Sequence, residues 1–269
     1  MNHTHSSTHR PGAVVAGAYL RTLRTAAGLT PQQAAARAHC SFPTIRQIET
    51  GRASADSGAL ARLADLYLPA GQAVEVIALA SAPGGIRDSG SGWSDRLAAL
   101  EHQAGTIILA SSNIIPAPLR SPACEQVLRE RGDAPPGSRA LPLTHDKNVQ
   151  AYLHEDAISS AGPPEAVREQ AAHLLRLAAT ADIRIIPRGP GGVSEHLPLP
   201  AGHVYGQLWL RPTPIHTEEF LTYGVSYPHN TAINGLLDLC RHRAATRDES
   251  RDILRGLSAG TSAPLAAIR

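Results

Sequence analysis

Apolar residues recur at helical spacing near the start of the chain and predict five helices within residues 16–67. The spacing is interrupted where turns are expected, and Thr30 and Ser41 stand where capping residues belong. Pro31 favours the start of the second helix, and Gly51 suits a left-handed stop after the third. The apolar positions that define the helices are Leu20, Leu23, Leu29, Ile45, Ile48, Leu60, Leu63 and Leu66. This pattern predicts an all-α N-terminal domain.

The pattern changes after a passage rich in glycine and serine. β-branched and alternating apolar residues predict strands at 106–109, 148–153 (with a turn at 154–157) and 183–187, and a hairpin at 203–211 and 214–218. Helical spacing predicts helices at 93–101, 123–131, 163–180, 231–243 and 247–257. This order favours an α+β domain, with α/β as the alternative. The predicted organisation is a disordered tail at 1–13, an all-α domain at 14–80, a Gly/Ser-rich linker at 81–92 and an α+β domain at 93–269.

The second and third helices are short and are joined by a tight turn at Ala38–His39–Cys40. In this arrangement a second helix with exposed polar side chains can enter the major groove of DNA. Arg46 can bind guanine and Gln47 can bind adenine, whereas Arg52 is placed to contact phosphate. The residues predicted to contact DNA are Thr30, Gln32, Ser41, Phe42, Thr44, Arg46, Gln47 and Arg52. The alternative is a solvated helix face. Glu49 is predicted to have a structural role, paired with an arginine such as Arg24.

A family resemblance supports the DNA-binding interpretation. The motifs YLRTLR (19–24), GLTPQQAA (28–35) and SFPTIRQIETG (41–51) resemble the helix-turn-helix of XRE-family (Cro/repressor-like) regulators, whose fold is a five-helix, lambda-repressor-like bundle. The resemblance covers about a fifth of the chain. It implies a homodimer on a palindromic operator in double-stranded DNA, with half-sites about one helical turn (roughly 34 Å) apart.

The chain departs from this family at four positions. Pro31 replaces a glutamine that often contacts phosphate, and Ala34 replaces a core leucine. Phe42 and Pro43 stand where polar residues often contact bases. Phe42 can contact a thymine methyl group, but packing or a partner interface would also explain it.

The second half of the chain has a resemblance of its own, over nearly all of residues 93–257. It is carried by Glu101, Ala104 and the segments IIPAPLRSPAC (114–124), LHEDAI (153–158), GPPEAVREQAAHLL (162–175), IRIIP (183–187), IHTE (215–218) and ESRDI (249–253). These resemble the C-terminal domain of a large actinomycete-type regulator family, Scr-type and antitoxin-like. The resemblance implies that the domain senses or binds, and that a small partner protein accompanies it.

Length and charge agree with this organisation. The chain has 269 residues, enough for two domains, and no apolar run approaches the roughly 18–20 residues of a membrane span. The net charge is only +2, but residues 14–68 carry six arginines against three acidic residues, whereas residues 69–269 carry 18 basic and 20 acidic residues. Positive charge is therefore concentrated where DNA phosphate is expected. The alternative is a coding bias toward arginine, since only one of the 25 basic residues is lysine.

Cysteine usage and the N-terminus predict the compartment. Cys40, Cys124 and Cys240 are odd in number and far apart, which argues for a reducing environment without a disulfide or a zinc site. The first ten residues lack the apolar core of a signal peptide. We expect a cytoplasmic protein. Cys124 and Cys240 are expected to be buried as small apolar residues.

Candidate chemistry in the second half points to binding. Catalytic use of His196, His203 or His216 is considered, but no catalytic or phosphate-binding motif accompanies them, and no cofactor or metal is predicted. Aromatic residues cluster near the hairpin and can line a pocket or a partner surface, with core packing as the alternative. The predicted ligand or partner residues are Tyr205, Trp209, His216, Glu218, Phe220 and Tyr223.

These observations predict a DNA-binding transcriptional regulator with a helix-turn-helix head and an α+β domain that binds a small ligand or a small partner protein. One alternative is a repurposed family member in a biosynthetic pathway, a small-molecule-binding protein or enzyme with a vestigial head. Another is an antitoxin-like protein that acts mainly through a small partner.

Overall fold

The computed structural model describes residues 10–52, 57–134, 147–189, 199–210, 213–220, 223–228 and 232–260. The chain forms two compact units, the first from Met1–Gln103 with Gly224–Asn230 and the second from Ala104–Tyr223 with Thr231–Arg269. The helices are α1 (Pro11–Ala26), α2 (Pro31–Arg37), α3 (Phe42–Glu49), α4 (Ser57–Asp65), α5 (Ala70–Ser81), α6 (Trp93–Gln103), α7 (Pro122–Arg131), α8 (Glu155–Ser159), α9 (Pro164–Leu177), α10 (Ala232–Arg243) and α11 (Arg247–Ala259). The strands are β1 (Ile86–Asp88), β2 (Thr106–Ser111), β3 (Asn148–His154), β4 (Asp182–Ile186), β5 (His203–Leu210), β6 (Thr213–Phe220) and β7 (Gly224–Tyr227).

Local interactions start and stop the short helices of the first unit, as predicted. Thr30 forms a capping box with Gln33 at the start of α2, and Ser41 accepts a hydrogen bond from the backbone N–H of Thr44 at the start of α3. Gly51 has a φ of +64°, and its N–H donates to the carbonyl of Ile48. Each motif satisfies backbone groups that a helix end leaves unpaired. The predicted five-helix, all-α head is confirmed, but its fifth helix, α5, lies beyond residues 16–67, where all five helices were expected.

Close packing around α1 holds these helices together. Leu20, Ile45 and Leu63 are completely buried. A Cβ atom added at Gly17 would lie 2.3 Å from the carbonyl oxygen of Ile48, so the backbones of α1 and α3 are in direct contact there. Glycine at this position is therefore required by the distance between two helices.

The first unit extends beyond the five helices at both ends. Helix α1 begins at Pro11, inside the segment predicted as a disordered tail, because proline suits a first helical position and residues 11–13 are buried. Residues 86–88, inside the predicted Gly/Ser-rich linker, form β1, which pairs antiparallel with β7. Asp88 on β1 is buried with Arg96 of α6. The boundary between DNA-binding and sensor domains stays a prediction.

Arg96 joins three elements of the first unit. Its side chain is 1% exposed and makes two hydrogen bonds of 2.7 Å to the carboxylate of Asp88. The same guanidinium lies 3.4 Å from Glu75 of α5. At the end of α6, Gln103 donates to Thr22 of α1 at 3.1 Å. Helix α6 is thus bound to the helix-turn-helix bundle by side-chain hydrogen bonds.

The second unit is built on a mixed sheet in which five strands follow the order β6-β5-β2-β3-β4. Strands β2, β3 and β4 are parallel, β5 is antiparallel to β2, and β6 is antiparallel to β5. Helix α10 packs on one face of this sheet, where Ile108, Tyr152 and Tyr205 share a buried cluster with Ile233 and Leu237. Helices α9 and α11 pack against each other, and α11 contacts β4. The predicted α+β class is confirmed.

Two smaller expectations have different outcomes. The predicted turn at 154–157 is wrong, because His154 accepts a hydrogen bond from the backbone N–H of Asp156 and begins the short helix α8. Cys124 and Cys240 are buried as predicted, and burial raises the pKa of each thiol to about 11. Among the described residues, no helix is both long and apolar enough to cross a membrane.

Candidate nucleic-acid interface and ligand face

Helix α3 has one face that anchors it and one face that is open. Ile45, Ile48 and Glu49 are buried, whereas Phe42, Arg46 and Gln47 are exposed. This division follows from the helical period, since residues three and four apart share a face. The predicted base-contacting side chains therefore lie on the exposed side of the third helix.

A buried ion pair fixes the other side of α3. The Arg24 Nε donates to Glu49 Oε1 at 2.5 Å, and Nη2 donates to Glu49 Oε2 at 3.1 Å. Arg24 Nη1 also donates to the carbonyl of Leu29 at 2.6 Å. Hydrogen bonding to Glu49 raises the pKa of Arg24 against the opposing effect of burial. The predicted structural pairing of these two residues is confirmed, and it joins α1 to the last residue of α3.

The predicted hydroxyl contacts also serve the helix ends. Ser41 Oγ lies 2.8 Å from Thr44 Oγ1 and accepts the Thr44 N–H, while Thr30 Oγ1 accepts the Gln33 N–H at 3.2 Å. Ser41 and Thr30 are exposed, whereas Thr44 is half-buried. Each hydroxyl keeps further hydrogen-bonding capacity.

The remaining predicted residues are exposed, and one feature of the turn was not predicted. Gln32 follows the start of α2, and Arg52 follows the left-handed Gly51. His39, in the turn between α2 and α3, has a φ of +48°, a conformation that favours glycine or asparagine. Nothing in the sequence except its place in a tight turn indicates this.

Five of the six residues predicted to bind a ligand or partner lie on one face of the β5–β6 hairpin. The register pairs Tyr205 with Glu218, and the alternation of strand side chains places Trp209, His216 and Phe220 on the same side. Tyr223 lies outside the hairpin, after β6, and is 71% exposed. This side of β5 and β6, with the side chains of 203, 205, 207 and 209 and of 216, 218 and 220, is called the ligand face below. Helix α10 packs on part of it, so Tyr205 and His216 are buried, at 5% and 9% exposure, whereas Trp209 is exposed.

Glu218 is the centre of one half of the ligand face. Its Oε1 accepts a hydrogen bond from the Tyr205 hydroxyl at 3.0 Å and lies 3.0 Å from His203 Nδ1. The His203 ring meets the edge of the Phe220 ring at a centroid distance of 4.6 Å. Burial, followed by the hydrogen bond to Glu218, raises the pKa of the Tyr205 hydroxyl. The Tyr205 hydroxyl is therefore a hydrogen-bond donor at neutral pH.

A second polar network occupies the other half. His216 Nε2 lies 2.8 Å from Asn234 Oδ1, and Gln207 Nε2 donates to the same oxygen at 2.9 Å. The Asn234 side chain therefore connects Gln207 to His216. Trp209 Nε1 donates to Gln207 Oε1 at 3.2 Å, and its side chain is 38% exposed.

Sequence reasoning missed Gln207 and Asn234 and considered His203 only for catalysis. The alternation that buries Val204 and Leu208 could have indicated Gln207, which has the opposite parity. Asn234 lies on a separate helix, and no local signal connects it to the hairpin. Of the histidines considered for catalysis, His203 and His216 belong to these networks, and His196 lies outside the described residues. In the described ranges, no three His, Cys, Asp or Glu side chains are grouped as metal ligands would be.

A small cleft of about 210 Å³ lies at the N-terminal ends of the parallel strands β3 and β4. Arg247 and Arg251 of α11 contribute to its lining, and Asp182 accepts a hydrogen bond from Arg247 at 2.8 Å. Burial opposes ionisation of Asp182, but hydrogen bonds from Arg247 and Arg184 outweigh it and lower its pKa. The charges in this cleft are largely paired with each other.

The fold and the exposed side of α3 define the class: a helix-turn-helix protein with an appended α+β domain. Residues 15–74 match the family model of a helix-turn-helix domain, which supports a DNA-binding regulator. Residues 94–256, more than half of the chain, match the domain of unknown function DUF5753, and the chain belongs to that family. No curated protein and no solved structure matches it.

Proposed function

We propose that this protein is a sequence-specific transcriptional regulator that reads DNA through α3. The observation that carries the proposal is the exposure of Arg46 and Gln47 on a helix whose other side is anchored by Ile45, Ile48 and the Arg24–Glu49 pair. An arginine and a glutamine on a rigid helix suit guanine and adenine, each with about 1–3 kcal/mol of discrimination against the wrong base.

The electrostatics of the head support this use. Arg37, Arg46, Arg52 and Arg62 are exposed in the described part of residues 10–65, whereas the charge of Glu49 is neutralised by Arg24. An excess of positive charge on such a surface favours the phosphate backbone. Our proposal includes a homodimer on a palindromic operator, with half-sites about one helical turn (roughly 34 Å) apart.

The second unit, in this proposal, binds an effector at the ligand face. The hydrogen-bonded polar groups there are positioned by the strand register and by α10, and Trp209 and Tyr223 add exposed aromatic surface. The effector is a small molecule or, in an antitoxin-like role, a small partner protein. Either regulates DNA binding only if it binds two states of the protein with different affinity.

The test is selection of duplexes from random or genomic fragments with the full chain, followed by titrations at several salt concentrations. We expect a palindromic site with a Kd in the nanomolar to tens-of-nanomolar range. The double variant Arg46→Ala/Gln47→Ala should lose at least about thirtyfold in affinity for that site. A matched variant, Arg176→Ala/Gln126→Ala, removes the same residue types from exposed helix positions in the second unit and should bind normally. Weak, sequence-blind binding that falls steeply with salt would contradict the proposal.

A further inference from the structure

Phe42 places a large aromatic ring on the open side of α3. It is the first residue of the helix, its side chain follows the capping residue Ser41, and it is 36% exposed. In the described part of the first unit, only Val74 on α5 is another large apolar residue as exposed as this. A single exposed ring is ordinary on a protein surface, but this one stands at the start of the helix that we propose to enter the major groove, where side chains reach base edges.

The ring lies one helical turn before Arg46. The guanidinium carbon of Arg46 is 5.8 Å from the centroid of the Phe42 ring, within the range of a cation–π interaction. Residues four apart lie on the same face, so the ring and the guanidinium are presented together. The Phe42 ring therefore restricts the positions that the Arg46 guanidinium can take, and Arg46 is the side chain that we propose to bind guanine.

The surroundings favour duplex DNA as the partner that covers this surface. Arg46 and Arg52, which precede and follow Gln47 in the sequence, are both exposed. The negative charge of the buried Glu49 is paired with Arg24, so it does not offset their positive charge. Ser41, the residue before Phe42, and Thr44 add hydroxyl groups at the start of the same helix. A positive, hydrogen-bonding surface with one apolar ring matches a major groove that presents acceptors and a methyl group.

On the basis of the proposed function, we infer that Phe42 and Arg46 together read a guanine and a nearby pyrimidine that carries a 5-methyl group. Guanine presents N7 and O6 to arginine, and thymine presents its methyl group in the same groove. Four residues of helix rise about 6 Å, and successive base pairs about 3.4 Å, so the two side chains reach base pairs one or two steps apart. Thymine and 5-methylcytosine offer the Phe42 ring a methyl group to contact, whereas unmethylated cytosine does not.

The experiment replaces each thymine of the selected site by deoxyuridine, which removes only the methyl group. We expect one thymine per half-site, within two base pairs of a guanine, at which the replacement lowers affinity about fourfold, the effect of exposing one methyl-sized group. Cytosine at that position should bind more weakly than 5-methylcytosine. In Phe42→Ala, and separately in Phe42→Gln, both methyl effects should disappear. A matched variant, Val74→Ala, removes exposed apolar surface on α5 and should keep them.

The outcomes separate this inference from the proposed function. If no thymine is sensitive to its methyl group, or if both Phe42 variants keep the full methyl effect, the inference is wrong. A palindromic site that Arg46→Ala/Gln47→Ala fails to bind would still support the regulator. If the wild-type chain selects no sequence, both are overturned.

Discussion

Replacing Glu49 by alanine should destabilise the first unit strongly, because it leaves Arg24 buried without its partner. The side chains of Arg24 and Glu49 are 10% and 7% exposed, and two hydrogen bonds join them. Removing one partner of a buried ion pair costs about 3–5 kcal/mol. By comparison, the Arg255–Asp252 pair is 66% and 72% exposed, and Asp252→Ala should cost about 0–1 kcal/mol.

Tryptophan fluorescence can isolate the unit that contains this pair. The chain has two tryptophans, Trp93 in the first unit and Trp209 in the second. In a Trp209→Phe background, urea unfolding followed by Trp93, which is 7% exposed, reports the free energy of unfolding of the first unit. Glu49→Ala should lower the urea midpoint far more than Asp252→Ala, and it should weaken binding to the selected DNA.

A double variant that removes both charges distinguishes an unpaired charge from other causes of lost stability. If the cost of Glu49→Ala comes from an unpaired charge, Arg24→Met/Glu49→Leu should recover much of the lost stability, since an apolar pair can replace a buried ion pair. Recovery should be incomplete, because the carbonyl of Leu29 also loses a donor. A cost of Glu49→Ala below about 1 kcal/mol, or a double variant less stable than Glu49→Ala, would refute the reasoning.

Four further changes test other parts of the structure. Gly17→Ala should cost about 1–3 kcal/mol in urea unfolding, because its Cβ would lie 2.3 Å from a carbonyl of α3. His39→Gly should raise the free energy of unfolding by about 1 kcal/mol and raise the Tm, because glycine adopts a φ of +48° without the steric cost of a side chain. Burial raises the pKa of Glu219, so its contribution to stability is complete below its unfolded pKa of about 4.3 and is lost as the pH rises through the folded value. In urea titrations, the free energy of unfolding of Glu219→Gln minus that of the wild type should therefore be larger at about pH 8 than at about pH 4. Gly224→Ala, with a φ of +132° and a Cβ 2.4 Å from a carbonyl of β1, should lower the urea midpoint reported by Trp93.

Features that depend on neighbouring residues could be predicted from the sequence. The caps at Thr30 and Ser41 and the stop at Gly51 each involve residues within four positions of one another. The Arg24–Glu49 pair spans 25 residues, yet it was also predictable, because helical spacing places both residues toward the core. The local signals and the final packing agree at these caps and at this ion pair, whereas α1 begins earlier than predicted and α5 lies beyond residue 67.

The pairing of β1 with β7 could not be predicted in this way. Residues 81–92 have the composition of a linker, and nothing local indicates that residues 86–88 pair with 225–227, more than a hundred residues later. Asp88 acquires its buried partner Arg96 only once β1 and α6 are both in place. Composition describes the preference of an isolated segment, whereas the strand is stabilised by distant contacts.

The ligand face shows the same division between local and distant information. Alternation along the hairpin correctly places Tyr205, Trp209 and His216 on one side. It cannot place Asn234, whose oxygen joins Gln207 to His216 from another helix. The aromatic residues were therefore predictable, and the polar network that positions them was not.

The two family matches divide the chain differently from its packing. Residues 94–256, which match DUF5753, include strand β7 and all of helix α6 except Trp93. Both elements nevertheless belong to the same unit as the helix-turn-helix. A fragment ending at residue 80 would lack the bond from Gln103 to Thr22 and would leave Glu75 without Arg96. The surface that faces DNA in our proposal therefore rests partly on elements of the second family match. Loss of DNA binding in such a fragment would report instability of the head as much as loss of regulation, so the full chain is the form in which α3 should be tested.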